Sequence, residues 1–433
     1  MKKKTSRIRQ VNNMPEFKTV GKRYRRKDGI DKLTGRALYP QDMQIEGMAY
    51  GHTVRSEKPH AYFTVDTSIA EKMEGVLIVL TAKDVTAMNH HGVLFKDHEV
   101  LCEKKVRRVG DPIAFVVAET EDQAEAAAGA VLVKYDELPA LFDAHEAMKE
   151  DAIQVHDGKS NVIYHYKCRR GDVDKAFEAS DVVVENTYYS PFVDHVFLQL
   201  ESGLSYMEDE RLVLVASSQY PHFDRLEIAE ALGLEEDQVI IRNPAVGGAF
   251  GGREDITMQI HLGLATLLTG RPVKVTYTRE ESFYAHSKRH PMTMRVKTGA
   301  TKDGKLTAVE AYIVGDTGAY ASWAINVLRK AGVHVPGPYE VPNVKVDSIA
   351  VYTNNPFCGA MRGFGATQVP IAYEQQIDIV ARELGMDPFE IRYKNCFKKG
   401  SMTPNGQILT ESVPMKECID ALKDLMEGVD AND

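Results

Sequence analysis

The residues of this 433-residue chain best suited to chemistry gather in one stretch, Asn243-Pro244-Ala245-Val246-Gly247-Gly248-Ala249-Phe250-Gly251-Gly252-Arg253-Glu254-Asp255. Four glycines in six positions bare the backbone there, so a ligand can approach its N–H groups closely. Val239-Ile240-Ile241 before it reads as a strand, and Ile256 to Leu268 after it reads as a helix closed by Gly270. A bare loop at a helix N-terminus suits an anionic or oxo group, met by free N–H groups and the positive end of the helix dipole. Two phosphate chemistries fail on the letters. A P-loop needs Lys-Ser/Thr where Arg253-Glu254 stands, and a dinucleotide fingerprint needs glycine where Ala249 stands. A tight strand–helix turn is the plain alternative, but it does not explain the bulky Phe250. The loop is expected to carry a bound group.

A second dense cluster is Asn355-Pro356-Phe357-Cys358-Gly359-Ala360-Met361-Arg362-Gly363-Phe364-Gly365-Ala366-Thr367-Gln368. It again sets an arginine and a phenylalanine among glycines ahead of a long helix. Taken alone it is as well explained by a glycine loop with a surface arginine.

Together the two loops say more. Gly-Gly-x-Phe-Gly-Gly-Arg-Glu, followed about 110 residues later by Ala-x-Arg-Gly-Phe-Gly-x-x-Gln, resembles the molybdenum-binding subunit of the xanthine oxidase and aldehyde oxidase family. Further motifs match in order over nearly the whole chain. They are Asp31 to Tyr39, Arg108-Val109-Gly110-Asp111-Pro112-Ile113-Ala114, Asp316-Thr317-Gly318-Ala319-Tyr320 and Leu384 to Arg392. The resemblance implies a molybdenum atom held by a pterin dithiolene (molybdopterin, expected as the cytosine dinucleotide) with oxo, sulfido or selenido, and hydroxyl ligands. It also implies hydroxylation of an electron-poor carbon with water as the oxygen source. Electrons are then expected to leave through two 2Fe–2S clusters to FAD, on partner subunits.

Residue by residue, the resemblance implies that Gln219 hydrogen-bonds the apical oxo ligand and that the backbone of Phe250 lies beside it. Gly248 and Gly251 clear space around Phe250, and Arg362 contacts the cofactor, so that Gln219, Phe250 and Arg362 surround the metal's ligands. For substrate it implies Glu254 as a hydrogen-bonding carboxylate and Phe364 as a stacking aromatic, while Lys330 stands where purine oxidases use an arginine. Arg329 is the alternative to Lys330 by one position, and a plain surface cation is the alternative for both. A lysine offers a point charge and not a bidentate fork. Gly363 departs from the copper-holding cysteine of carbon monoxide dehydrogenases, which excludes that branch.

The resemblance also implies a C-terminal half that supplies most nucleotide contacts and a glutamate base in a Gly-x-Gly-Glu segment. No such segment occurs near Asp433, so no catalytic base is expected on this chain. The sequence is most similar to the split, nicotinate-oxidising branch of the family, in Val351 to Pro356 and Ser287 to Met294 particularly. The expected partners are a medium molybdopterin subunit, an iron–sulfur subunit, an FAD subunit and a small N-heterocyclic substrate. Nicotinate is the first expectation and a purine the second; a non-catalytic truncated homologue is the reading from another class.

The elements that position these loops follow from periodicity. Ala49 to Val54, Gly75 to Leu80, Ile113 to Ala118 and Val131 to Tyr135 read as strands, with an alanine-rich helix capped at Thr120. The fold class is mixed α/β, or α+β. The expected organisation is a tail over 1–19, a hammerhead-type α/β domain over 20–141, a linker over 142–172 and the first molybdopterin-binding domain over 173–433. Asp181 to Tyr188, Leu212 to Ala216, Pro272 to Thr278 and Leu306 to Val314 are its expected strands. Gly315 to Tyr320 reads as a turn, and Tyr373, Ile377, Val380 and Leu384 share one helix face. Asp387-Pro388-Phe389-Glu390 starts another helix, and a last one over 414–427 sets Ile419, Leu422 and Met426 on one side.

Composition agrees. A hydrophobic fraction of 43%, a charged fraction of 27% and a net charge of −9 are those of a globular protein and argue against nucleic acid as a partner. No apolar run reaches membrane-spanning length, and no hydrophobic segment follows the basic N-terminus, so neither a membrane nor a secretory signal is expected. Five scattered cysteines suit a cytoplasmic location and argue against an iron–sulfur cluster or structural zinc built from them.

Overall fold

The computed structural model describes residues 17–85 and 87–426. They fall into two compact units, 1–38 and 39–433. In the first, the short helix Gly29–Leu33 is flanked by the ion pairs Arg26–Asp28 and Arg36–Asp31. Most of the expected basic tail, residues 1–16, lies outside the described residues.

The second unit is built on two large sheets. The larger has seven strands in the order Val239–Arg242, Arg211–Ala216, Ser202–Glu208, Val273–Thr276, Ala49–Arg55, Pro112–Ala118 and Val76–Leu80. Pro112–Ala118 is buried along its whole length, as a continuous apolar run requires. Ala49–Arg55 pairs in parallel with Val273–Thr276, Ala49 opposite Val273, so the early and later segments share one sheet. Helices Pro221–Leu232 and Gln259–Thr269 supply Ile228, Ile260, Leu262 and Leu264 to its core. A small three-stranded sheet centres on Ala61–Asp66.

The second large sheet has five strands in the order Val182–Ser190, Met292–Ala300, Leu306–Gly318, Asn343–Tyr352 and Val162–Arg170. Met292, Met294 and Val296 alternate inward against helices Ala324–His334 and Pro370–Leu384. Two local expectations change here. The passage 142–172, expected as a linker, holds a short helix, Ala144–Ala147, and the edge strand Val162–Arg170. Gly315 to Gly318, expected as a turn, continues the strand Leu306–Gly318, because Gly315, Asp316 and Gly318 keep pairing with Ala350, Val351 and Tyr352.

Capping chemistry sets the helix ends. The Thr120 hydroxyl accepts the Gln123 N–H, and the Asp387 carboxylate accepts the N–H groups of Phe389 and Glu390. Gly233, Gly270 and Gly385 close their helices with φ of 69°, 68° and 63°. In the last helix, Met415–Met426, Ile419 is buried while Leu422 is exposed. The four buried cysteines and the exposed Cys418 are all free thiols, and among the described residues no helix is long and apolar enough to cross a membrane.

Candidate active site

The first glycine loop leaves the carboxyl end of the strand Val239–Arg242, and Ser218-Gln219 leaves that of its parallel neighbour Arg211–Ala216. Carboxyl ends of adjacent parallel strands are where α/β sheets place ligands. The helix after the loop begins at Gln259, three residues later than its apolar pattern starts. Its N-terminus therefore does not open on the glycines, and the helix does not add its own free N–H groups to the loop. The loop spends part of its donors on neighbouring residues. Gln219 Oε1 accepts the Gly251 N–H at 2.8 Å, Gln199 Oε1 accepts that of Gly247 at 2.7 Å, and the carbonyls of Ala249 and Gly251 take the N–H groups of Gly252 and Glu254.

The second loop joins the strand Asn343–Tyr352 to the helix Pro370–Leu384 and packs directly on the first. Arg362 N–H donates to the Phe250 carbonyl at 2.8 Å. A Cβ on Gly251 would stand 2.4 Å from the Ala360 carbonyl oxygen, so glycine is obligatory there. Phe250 and Phe364 both take left-handed backbone, with φ of 55° and 54°, conformations that cost a bulky residue free energy and cluster at functional sites. Arg289 fixes the second loop from below, donating to the Arg362 carbonyl at 2.9 Å and to Thr367 Oγ1 at 2.7 Å.

Between the loops lies a cavity of about 390 Å³. Of the eight expected site residues, seven line it: Gln219, Phe250, Gly251, Glu254, Lys330, Arg362 and Phe364. Gly248 does not. A Cβ there would meet Phe197, and its carbonyl accepts a hydrogen bond from Arg253. Lys330 reaches the cavity from the helix Ala324–His334, whereas Arg329 is exposed and does not line it. Tyr220, absent from the sequence-based set, stands in the wall beside Glu254. Its ring lies 5.9 Å from Trp323, which meets Phe364 edge-on at 6.0 Å.

The electrostatics of the wall are uneven. Burial, then the neighbouring Asp255 carboxylate, pushes Glu254 up to about 7. Burial likewise pushes Asp255 up to about 6, against the hydrogen bond it takes from Ser322. Gln219 spends its oxygen on Gly251, so its amide nitrogen faces Glu254 Oε1 at 3.2 Å with a second N–H left over. The Lys330 ammonium and the Arg362 guanidinium have no hydrogen-bonding or ion-pair partner among the described residues.

Two further residues carry the site from behind. Arg253 is buried, donates to the Gly248 and Gln199 carbonyls and lies 4.2 Å over the Phe197 ring. His195 Nε2 donates to the Ala360 carbonyl at 2.8 Å, while its Cγ would be 2.9 Å from a Cβ on Gly252. Neither is legible in the letters, because what they hold is distant in sequence. Only an arginine directly after paired glycines hints at such a brace.

Known proteins resemble this chain in sequence and fold. Residues 155–396 match the molybdopterin cofactor-binding domain, and residues 34–139 match the aldehyde oxidase and xanthine dehydrogenase a/b hammerhead domain. The nicotinate dehydrogenase large molybdopterin subunit of Eubacterium barkeri is 42% identical over 94% of this chain and 96% of its own length. A probable xanthine dehydrogenase subunit from Bacillus subtilis is 41% identical, over 88% of this chain but 51% of its own. The aldehyde oxidoreductase structure from Desulfovibrio gigas superposes with a TM-score of 0.91 at 33% identity, covering 94% of this chain and 46% of that one. The chain thus spans about half the length of the latter two. It belongs to the molybdenum hydroxylase family of aldehyde oxidases and xanthine dehydrogenases, as a chain that carries the hammerhead domain followed by a molybdopterin cofactor-binding domain.

Proposed function

We propose that this chain is the large molybdopterin subunit of a multi-subunit hydroxylase, forming one wall of the cofactor site and acting on an N-heteroaromatic ring, with nicotinate as substrate. The observation that carries this reading is the convergence of Gln219, Phe250, Glu254, Lys330, Arg362 and Phe364 on one cavity. The wall fits a group with oxo and anionic ligands. It offers a spare Gln219 N–H and two unpaired cations, and Gly251 brings the two loops into contact where any side chain would part them. When bound, molybdopterin supplies the two-electron chemistry that places a water-derived oxygen on an electron-poor ring carbon.

The chain's own residues orient and exclude. Gln219 would hydrogen-bond an oxygen of the bound cofactor and Arg362 would contact it, with the backbone of Phe250 beside it. Phe364 stacks on the substrate ring, worth about 1 kcal/mol beyond the area buried. Glu254, titrating near 7, meets a ring nitrogen as donor or acceptor, and Lys330 takes the ring's carboxylate as a point charge. The base, the cytosine dinucleotide contacts, FAD and the iron–sulfur clusters are assigned to a medium molybdopterin subunit, an FAD subunit and an iron–sulfur subunit. The boundaries at 19, 141 and 172 and a cytoplasmic location complete the proposal, the latter supported by five free cysteines. A purine is the second reading, supported by Glu254 and by relatives named as xanthine dehydrogenase subunits.

The test is a substrate panel on the complex purified with its companion chains: nicotinate, hypoxanthine, xanthine and benzaldehyde. Nicotinate is expected to be turned over best. Lys330→Met is expected to raise its KM about 10- to 100-fold with kcat little changed, from the roughly 1.5–3 kcal/mol of a hydrogen bond to a charged group. Preferred turnover of a purine or aldehyde overturns the nicotinate assignment, and a molybdenum-loaded complex inert on every compound favours the non-catalytic alternative.

A further inference from the structure

Behind the two glycine loops lies a second cluster that the cofactor reading does not use. Asp194, His195 and His286 each present a ligand atom, and the three atoms lie within 4.8 Å of one another. His286 Nε2 stands 3.5 Å from Asp194 Oδ2 and 3.6 Å from Glu201 Oε1. Glu201, His195 and His286 are almost wholly buried. His195 Nδ1 and Glu201 Oε1 are buried without a hydrogen-bond partner, although buried polar atoms are rarely left so, and Asp194 Oδ2 meets only the Lys288 ammonium and the His286 ring.

The tautomers follow from the carbonyls. His286 Nδ1 faces the Ser287 carbonyl at 2.9 Å and His195 Nε2 faces that of Ala360 at 2.8 Å. A carbonyl oxygen only accepts, so each of these nitrogens carries the ring proton and leaves the other with a lone pair. His286 Nε2 therefore directs a lone pair at two carboxylate oxygens, and 3.5–3.6 Å is too long for a shared hydrogen bond. Lys288 relieves part of this, with its ammonium 3.0 Å from Asp194 Oδ2 and donating to the His286 carbonyl. It leaves Glu201 Oε1 and His286 Nε2 facing each other.

We propose that Asp194, His195 and His286 form a structural site for a divalent transition cation of the zinc class, with Glu201, which lies outside their 4.8 Å group, closing in on His286 as the fourth ligand. Zinc bonds of roughly 2.0–2.1 Å set the edges of a tetrahedron at about 3.4 Å, close to the two edges that meet at His286 Nε2, while the remaining ligand atoms would draw in from within 4.8 Å. Ligand histidines usually donate their second N–H to a carbonyl or carboxylate, which both rings do here. The mixed nitrogen and oxygen set with no thiolate suits zinc over a soft monovalent metal. The site's place gives it a use. His195 holds the Ala360 carbonyl of the second loop and lies flat against Gly252 of the first, so a cation fixing its ring fixes both walls of the cavity.

The test uses the full chain stripped with a chelator and then given zinc alone or cobalt(II) alone. One equivalent of zinc is expected to survive gel filtration and to raise Tm by several degrees. Cobalt is expected to give the visible bands of a four-coordinate nitrogen and oxygen site without a thiolate charge-transfer band. Asp194→Asn and His286→Gln are each expected to weaken zinc binding at least about tenfold. The proposal is overturned if the wild-type chain retains no stoichiometric zinc, if cobalt shows thiolate ligation by the free cysteines, or if both variants bind as tightly as wild type. Where a variant does not fold, the cobalt spectrum of the wild-type chain decides.

Discussion

Glu254 is the residue whose chemistry changes most between sequence and structure. In the letters it is one more carboxylate; in the cavity, burial and Asp255 hold it near 7, against an ordinary glutamate value of about 4.3. The folded chain therefore binds this proton more readily than the unfolded chain. Its stabilising effect is complete below the unfolded value and is lost as pH rises through the folded one. Asp255, held near 6, titrates in the same direction, so the observed steps belong to the pair. Glu254→Gln removes the proton in question while keeping the shape. Between about pH 5 and 8 the Tm of the wild-type chain is expected to fall more steeply than that of the variant. Calorimetry across that window decides, and parallel curves would remove Glu254 as the source. Arg253 makes the converse point. Standing where a P-loop needs lysine, it argued against that motif, but that it braces the loop from inside depends on Gln199 and Phe197, more than fifty residues earlier, which no local pattern reports.

At the scale of elements, the pairing of two loops makes the site, and glycine lets them meet. Gly251 has φ of 105° and no room for a Cβ against Ala360; Gly270 has φ of 68° and nothing within 4 Å. Gly270→Ala is expected to cost about 1 kcal/mol for backbone strain alone, whereas Gly251→Ala adds a clash with backbone to a strain of about 1–3 kcal/mol. Urea unfolding should rank the two, and the molybdenum content of the complex should fall only for Gly251→Ala. Equal stability and equal metal content would show that the loops tolerate separation. Elements with a strong local signal were legible: the buried run to Ala118, the Thr120 and Asp387 caps, the glycine stops at 233, 270 and 385. The strand Val162–Arg170 was not, because its burial alternates weakly at a sheet edge among charged residues. The start of the helix after the glycine loop was misplaced because Ile256 and Met258 are buried as loop residues, and burial imitates helical periodicity.

At the scale of the whole chain, the sheet is closed by a pair that sequence periodicity cannot find, Ala49 with Val273. The cavity, by contrast, is lined partly by exposed aromatic residues, Tyr220 and Phe250. Phe250 is 47% exposed, and the segment packed against its loop exposes Val196 and, at 90%, Leu198. Val196 also holds a left-handed φ of 44°, a conformation a β-branched residue adopts at a cost. Apolar side chains held out together beside a functional cavity mark an interaction surface. The relative of matching length is itself named a large subunit. The proposed medium molybdopterin chain is the occupant that the proposed function would place there. Leu198→Glu puts a charge on that exposed segment without touching the core, so the chain should keep its Tm. Burying the charge in the interface should cost a few kcal/mol, enough to weaken co-purification of the companion chain at least about tenfold and to lower molybdenum retention with it. Undiminished co-purification of that variant, or turnover by this chain purified alone, would show that this segment is not where the site is completed.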